Sequence, residues 1–262
     1  MTPFSGELAV RLGVFLSVFA LMAAWELAAP ARGPRLARRV RWRANLGLAV
    51  VNTLVLRLAL PTSAIALAAL AQENGWGLLN RFVLPGWAAV VLGVVLLDLV
   101  IYFQHVLFHA VPALARLHAV HHADPDFDLT TGIRFHPVEM LLSALIKFAA
   151  VVALGAPVVA VLAFEVLLNA TAMFNHANIA LPAALEPSVR RFLVTPDMHR
   201  IHHSVIEAER NSNYGFCLSV WDRLLGTYTS APRGALDIGL ASWREPAMVA
   251  TLGGVLRMPF RP

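Results

Sequence analysis

The sequence predicts an all-α integral membrane protein with about four to five transmembrane or hairpin helices and a histidine-rich helical cap on the cytoplasmic side. Three observations carry this. Of the 262 residues, 58% are hydrophobic and only 14% charged, against roughly 25% charged in a soluble domain. Apolar runs recur at the length needed to cross a hydrocarbon core as helix. All ten histidines fall between His105 and His203. The composition excludes a disordered chain, and the single cysteine, Cys217, excludes an internal disulfide framework.

In chain order, the first expected span is Leu8 to Leu27, ending before Ala-Pro-Ala-Arg-Gly-Pro. It lacks a basic leading segment and is expected to be an anchor rather than a cleaved signal. The second runs from Leu46 to Leu70 and the third from Leu84 to Phe108. Met140 to Leu154 and Val158 to Met173 form a short-armed hairpin about the turn Gly155-Ala156-Pro157. Three segments follow: a membrane anchor at 1–83, a domain at 84–230 that holds every histidine, and a tail at 231–262.

Charge sets the orientation. The net charge of +5 admits nucleic acid as a partner, but Arg32, Arg35, Arg38, Arg39, Arg41 and Arg43 crowd one loop between apolar runs. Beside a membrane such a cluster is a topology signal, so nucleic acid is not expected and the loop is placed in the cytoplasm. Parity then puts Gln72 to Arg81 and the hairpin turn outside. Gln104 to Glu139 and everything after Asn175, with its nine arginines, lie inside. Lys147 is the only lysine, a bias suggesting a GC-rich bacterial genome and hence a bacterial inner membrane. Arg57 and Asp98 are charges deep in the second and third spans, at matching depths, and are expected to pair.

The histidine spacings have a mechanical meaning. His105 and His109 stand i and i+4 at the end of the third span, on one helix face. His118-Ala-Val-His121-His122 and His199-Arg-Ile-His202-His203 both read HxxHH, which puts three rings on one side of a short helix. The second has a start signal in Thr195, Pro196 and Asp197. The hairpin returns His176 to the same membrane face. These clusters can surround two metal ions, and imidazole suits Zn, Cu, Fe and Ni alike. His136, before the proline that opens the hairpin, stands between ligand and neighbour of the site. Asp124, Asp126 and Asp128 either orient imidazoles or form a solvated loop. Arg134 and Arg200 either attract an anionic lipid headgroup or donor or simply follow topology. Tyr214 and Trp221 are expected to pack.

These pieces resemble the fatty acid hydroxylase and sterol desaturase superfamily over Leu97 to Tyr228. They are Asp98-x3-Tyr102-x2-His105-x3-His109, His118-x2-His121-His122, Arg134-Phe135-His136-Pro137-x-Glu139, Asn175-His176, Asp197-x-His199-x2-His202-His203, Asn213-Tyr214-Gly215 and Trp221-Asp222-Arg223-Leu224-Leu225-Gly226-Thr227-Tyr228. The resemblance implies membrane helices under a cytosolic cap with two iron ions, which zinc can replace in a purified sample. It implies His105, His109, His118, His121, His122, His176, His199, His202 and His203 as ligands, with His136 at a recurrent family position. Asp98, Tyr102, Glu139, Asp197 and Asn175 are expected to support the ligands. The implied activity is O2-dependent hydroxylation, desaturation or ether cleavage of a lipid. With no cytochrome, dinucleotide-loop or Cys-cluster signature in the sequence, electrons are expected from a separate donor of cytochrome b5, ferredoxin or reductase type. Two other classes compete. A metal transporter or metal-binding protein would hold its ligands nearer the bilayer midplane, and a b-type haem subunit would pair histidines across helices within it.

Overall fold

A computed structural model describes residues 3–261. Met1, Thr2 and Pro262, the extreme ends of the first and last expected segments, lie outside it. Among the described residues the fold is helical, with only isolated β-bridges between loops. Five apolar helical stretches are long enough to cross a membrane, and the chain is an integral membrane protein. Large apolar side chains cover the outside of these helices: Leu58 is 87% exposed, Trp87 74% and Val159 63%. Water would not tolerate so broad an apolar surface, whereas lipid does.

Helix α1 (Pro3–Ala28) packs along α7 (Val158–Asn175), and α2 (Arg38–Ala59) along α6 (Pro137–Leu154). The second expected span is not one helix. It breaks at Leu60-Pro61-Thr62-Ser63 and resumes as α3 (Ala64–Glu73). Pro61 has no N–H and its ring clashes with the preceding turn. Ser63 Oγ then accepts from Ala66 N at 3.1 Å and caps the new start. Helix α4 (Gly86–Ala110) contacts α5, α6 and α7, and ends where Pro112 forces Val111 extended. Helix α5 (Pro112–His122) begins at that proline, and α6 begins at Pro137.

The far end of the bundle closes through glycine. Gly155 ends α6 in the left-handed region at φ 63°. Leu78 N donates to Ala153 O at 2.9 Å. A Cβ on Gly77 would lie 2.1 Å from Gly155 N, so only two glycines allow the backbones to approach this closely. The 72–81 stretch and the hairpin turn therefore share one end, as the parity argument requires. The arginine loop and the histidines share the other.

The cap follows α7 as short helices: α8 (Glu186–Arg190), α9 (Pro196–His202), α10 (Glu207–Arg210), α11 (Val220–Leu224), α12 (Pro246–Val249) and α13 (Leu252–Arg257). Thr195 caps α9 through Met198 N at 3.3 Å, with Pro196 opening it. Part of the last expected segment packs into the fold. Val249, Ala250, Val255 and Met258 form a core with Leu48 of α2 and with Val120 and Ala123 of α5. Gly239 N also bonds His203 O at 3.1 Å.

The expected pairing of Arg57 with Asp98 does not form. Arg57 is exposed. Asp98 is buried and accepts from Cys217 N, Leu218 N and Trp221 Nε1 at 3.1, 3.2 and 2.8 Å. Equal depth along two helices says nothing about azimuth, and the cap supplies the partners instead.

Candidate metal centre

Nine histidines converge in two groups. The first is His105, His109, His118, His122 and His202, and the second is His121, His176, His199 and His203. In each group one nitrogen per ring lies within 4.8 Å of all the others. The groups adjoin, with the rings of His122 and His203 centred 4.5 Å apart. Each HxxHH divides between them. In α5 the outer pair, His118 and His122, joins the first group and His121 the second. In α9 the outer pair, His199 and His203, joins the second and His202 the first. Helix geometry explains the division: i and i+4 diverge by only about 40°, while i+3 and i+4 diverge by about 100°.

Hydrogen bonds on the outward nitrogens determine what the inward ones can do. His105 Nδ1 donates to Tyr214 O at 2.8 Å, His202 Nδ1 to Ser212 O at 2.7 Å, and His176 Nδ1 to Ala172 O at 2.7 Å. His121 Nδ1 donates to Arg134 O at 3.2 Å and His118 Nδ1 to Glu139 Oε1 at 2.6 Å. A carbonyl or carboxylate oxygen only accepts, so each Nδ1 carries a proton, which in a neutral ring leaves the lone pair on Nε2. Yet His105 Nε2 lies 3.2 Å from that of His118 and 3.0 Å from that of His202, and the Nε2 atoms of His121 and His176 lie 3.1 Å apart. Neutral lone pairs facing at such range repel. A cation among them reverses the sign, so this donor set fits a metal in both groups.

Burial favours the neutral form of most of these rings. It pushes His176 down to about 4, with Ala172 O pulling the other way. His121, His122, His199, His202 and His203 lie well below the ordinary value, through burial first and neighbouring imidazoles second. Neutral imidazole is the ligand form. Phe135 stacks on His121 at 4.4 Å and Phe127 on His176 at 5.4 Å between ring centres, shielding the second group from water.

His136 joins neither group. Its Nδ1 accepts from Val138 N at 3.2 Å as the cap of α6, and its Nε2 contacts Leu256 O at 3.3 Å. A residue just ahead of a helix-starting proline is drawn to the cap. Glu139 serves His118 rather than His136. Asp197, on α9, accepts from Arg200 Nη1 at 2.5 Å. Asp98, Tyr102 and Asn175 act through one loop. Asp98 pins residues 217–221, Tyr102 Oη meets Thr227 Oγ1 at 2.8 Å, and Asn175 Nδ2 donates to Phe216 O at 3.0 Å. Asp222 completes the clamp by accepting from Tyr214 N and Gly215 N at 2.7 and 2.8 Å. A Cβ on Gly215 would lie 2.7 Å from that carboxylate. The clamped loop presents Tyr214 O to His105.

Asp124 and Asp128 of the acidic loop are buried and bond Arg41, Asn45 and Thr131 rather than imidazole. Arg41 is buried and reaches Asp124 through Nε and Nη2 at 2.6 and 2.7 Å, and Asp128 through Nη1 at 2.6 Å. Burial works against the Asp124 charge, yet Arg41 holds the group down at about 2. Arg134, also fully buried, donates to Val120 O, Asn45 Oδ1 and Val249 O at 2.7–2.8 Å. Arg200 reaches Ile179 O at 2.9 Å. Neither is free to meet a headgroup. Asn45 and Glu26, which accepts from Leu129 N and Asn178 N at 2.7 and 2.8 Å, escaped the sequence reading, and Arg41 entered it only as a topology signal. A buried charge beside a basic cluster gave no signal of its own.

A cavity of about 330 Å³ opens from His105, His118, His121 and His199 and runs between α2, α4, α6 and α7. Its wall is mostly apolar, with Ile101, Phe108 and Leu168 among its residues.

The fatty acid hydroxylase family model matches residues 90–227, over half of the chain, and the chain belongs to that family. The chain is 34% identical over 164 residues to the ornithine lipid hydroxylase OlsE of Rhizobium tropici, covering 62% of this chain and 49% of the relative. It is 30% identical over 143 residues to the alkylglycerol monooxygenase of Xenopus tropicalis and 28% identical to that of Homo sapiens, covering 54% of this chain and 30% of each relative. The chain thus spans half or less of these relatives. No solved structure gives a significant match.

Proposed function

We propose that this protein is a membrane-bound non-haem di-iron oxygenase that hydroxylates a lipid, using O2 and electrons from a separate donor. The observation that carries this reading is the convergence of ring nitrogens in two adjoining, buried, all-histidine groups. Two irons bound there would supply the oxidising power that an unactivated C–H bond requires and that side chains lack. The carbonyls of Tyr214, Ser212 and Ala172 and the carboxylate of Glu139 fix ring tautomers and orientations. Phe127 and Phe135 exclude water, and the apolar cavity holds a lipid chain with one carbon at the histidines.

The relatives' names make ornithine lipids and alkylglycerols the candidate substrates, and favour hydroxylation over desaturation. The donor is of cytochrome b5, ferredoxin or reductase type. The site faces the cytoplasm of a bacterial inner membrane, where such donors are found.

The test is metal content together with isotopically labelled O2. Protein purified anaerobically with iron is expected to hold two irons per chain and to place label in lipid. His202→Ala, which removes a ligand from the first group, is expected to lose metal and turnover. Full turnover by that variant would overturn the ligand assignment. A redox-silent metal that leaves the protein readily, with no label incorporated, would favour a metal-binding or transport role.

A further inference from the structure

Two polar side chains meet in the wall of the cavity, Gln104 of α4 and Ser143 of α6. Gln104 Nε2 donates to Ser143 Oγ at 2.6 Å. That bond leaves both partners half used. Gln104 Oε1 is buried and has no hydrogen-bond partner among the described residues. Ser143, having accepted, finds no acceptor for its own O–H among them. Turning the amide over does not change the count. Ser143 would then donate to Gln104, and the pair would keep a free amide N–H and a free hydroxyl lone pair. Either way, one unused donor and one unused acceptor stand side by side. Asn52 of α2 lines the same cavity and donates to Phe135 O at 3.0 Å, while its Oδ1 is likewise buried without a partner. Most buried polar atoms in folded proteins are paired, because an unpaired one carries a desolvation cost that no bond offsets. A ligand in the cavity would supply the missing bonds.

The pair lies near the histidines. Gln104 precedes His105. Ser143 stands one turn, about 6 Å along α6, beyond Glu139, whose carboxylate bonds His118 at 2.6 Å.

We propose that Gln104 and Ser143 form a specificity subsite for a group of the lipid that both donates and accepts a hydrogen bond, a hydroxyl or an amide. This rests on the oxygenase reading and adds to it the class of substrate and the position of attack. A hydroxyl fits because its O–H reaches the Gln104 oxygen while its lone pair takes the Ser143 proton. An amide fits with its N–H and C=O in the same two roles. An ether only accepts, so it satisfies half of the pair, and a hydrocarbon satisfies neither half. With the pair one helical turn from the histidines, the carbon presented to them lies within a few bonds of the polar group. The rest of the chain runs along the apolar wall.

The test is competition binding to the iron-loaded, detergent-solubilised chain, with radiolabelled hexadecyl methyl ether displaced by hexadecan-1-ol, hexadecanamide or the unlabelled ether. The readout is the preference for alcohol or amide over ether, compared between parent and variant so that partitioning into detergent cancels. Gln104→Leu and Ser143→Ala each strand the other member, so the decisive variant is Q104L/S143A, which removes both. At least one of the two preferences is expected to be roughly tenfold larger in the parent than in Q104L/S143A, the scale of one net hydrogen bond. The larger of the two distinguishes a hydroxyl from an amide, and either supports the subsite. Ser143→Thr, which keeps the hydroxyl, is expected to retain the preference. Iron content and melting temperature report that each variant is folded. Preferences equal in the parent and in Q104L/S143A would overturn the proposal, as would isotopic label from O2 found at the far end of the lipid chain. If those preferences are equal while label still enters lipid, the subsite fails and the oxygenase stands. If the preference is lost only in the variant and the parent incorporates no label, the subsite stands and the oxygenase reading fails.

Discussion

Around the histidines, single buried charges act through the backbone they hold. Arg41 shows this most sharply. It joins the start of α2 to Asp124 and Asp128 in the loop after α5, so the arginine loop and the histidine loop are one structure. Removing one partner from a buried ionic network strands the rest, at a cost of about 3–5 kcal/mol. Arg41→Ala is therefore expected to lower stability to denaturant in detergent by that order, and Arg41→Lys to restore only part because lysine cannot bond two carboxylates at once. Arg39→Ala, at an exposed position in the same run, is expected to change little. Equal behaviour of the 41 and 39 variants would mean that the cluster serves topology alone. The contrast also marks what single residues in a sequence disclose. Eight of the nine converging histidines were legible because their spacings are local and helical, and His176 because the hairpin returns it to the same face. The pairings of Asp98 with Cys217, Asp124 with Arg41 and Arg134 with Asn45 were not, because the partners lie some 80–120 positions apart and no local pattern encodes such a contact.

Elements were legible where proline and glycine punctuate them. Pro137 and Pro196 open helices, and Gly155 closes one, where the sequence marks them. The break at Pro61 was missed because hydropathy alone continues unbroken across it, although the proline itself was the available signal. Short cap helices were also harder to see, since four or five residues show no periodicity. One contact between elements carries a sharp expectation. Gly77 sits at φ 94° with its α-carbon against Gly155. Gly77→Ala adds a Cβ that meets backbone, in a conformation that alanine resists, and is expected to destabilise by more than about 1 kcal/mol. Gly86→Ala, where a Cβ meets nothing within 4 Å, is the control. Thermal unfolding in detergent compares them. If both melt alike, the packing of the 72–81 stretch on the hairpin turn contributes nothing to stability.

For the whole molecule, three separate stretches of chain build one polar end. The arginine loop binds the acidic loop through Arg41, the hairpin returns His176, and residues 237–239 pair with Val205 and His203. The opposite end is a tight joint of Trp76, Gly77 and Gly155. Such polarity makes the side of the membrane a single question, which one position at each end answers. Loops rich in arginine stay on the cytoplasmic side, so the histidine end is expected to face inward with the arginine loop. Cys217 is buried, which limits background labelling by a membrane-impermeant thiol reagent. Arg39→Cys at the arginine end and Gly75→Cys at the other, both exposed sites, are expected to differ in intact cells: position 75 reacts and position 39 reacts only after the membrane is opened. The reverse pattern would carry all nine converging histidines outward, because the fold ties them to the arginine loop. A cytoplasmic electron donor could not then reach them, and the oxygenase reading would fall with the topology.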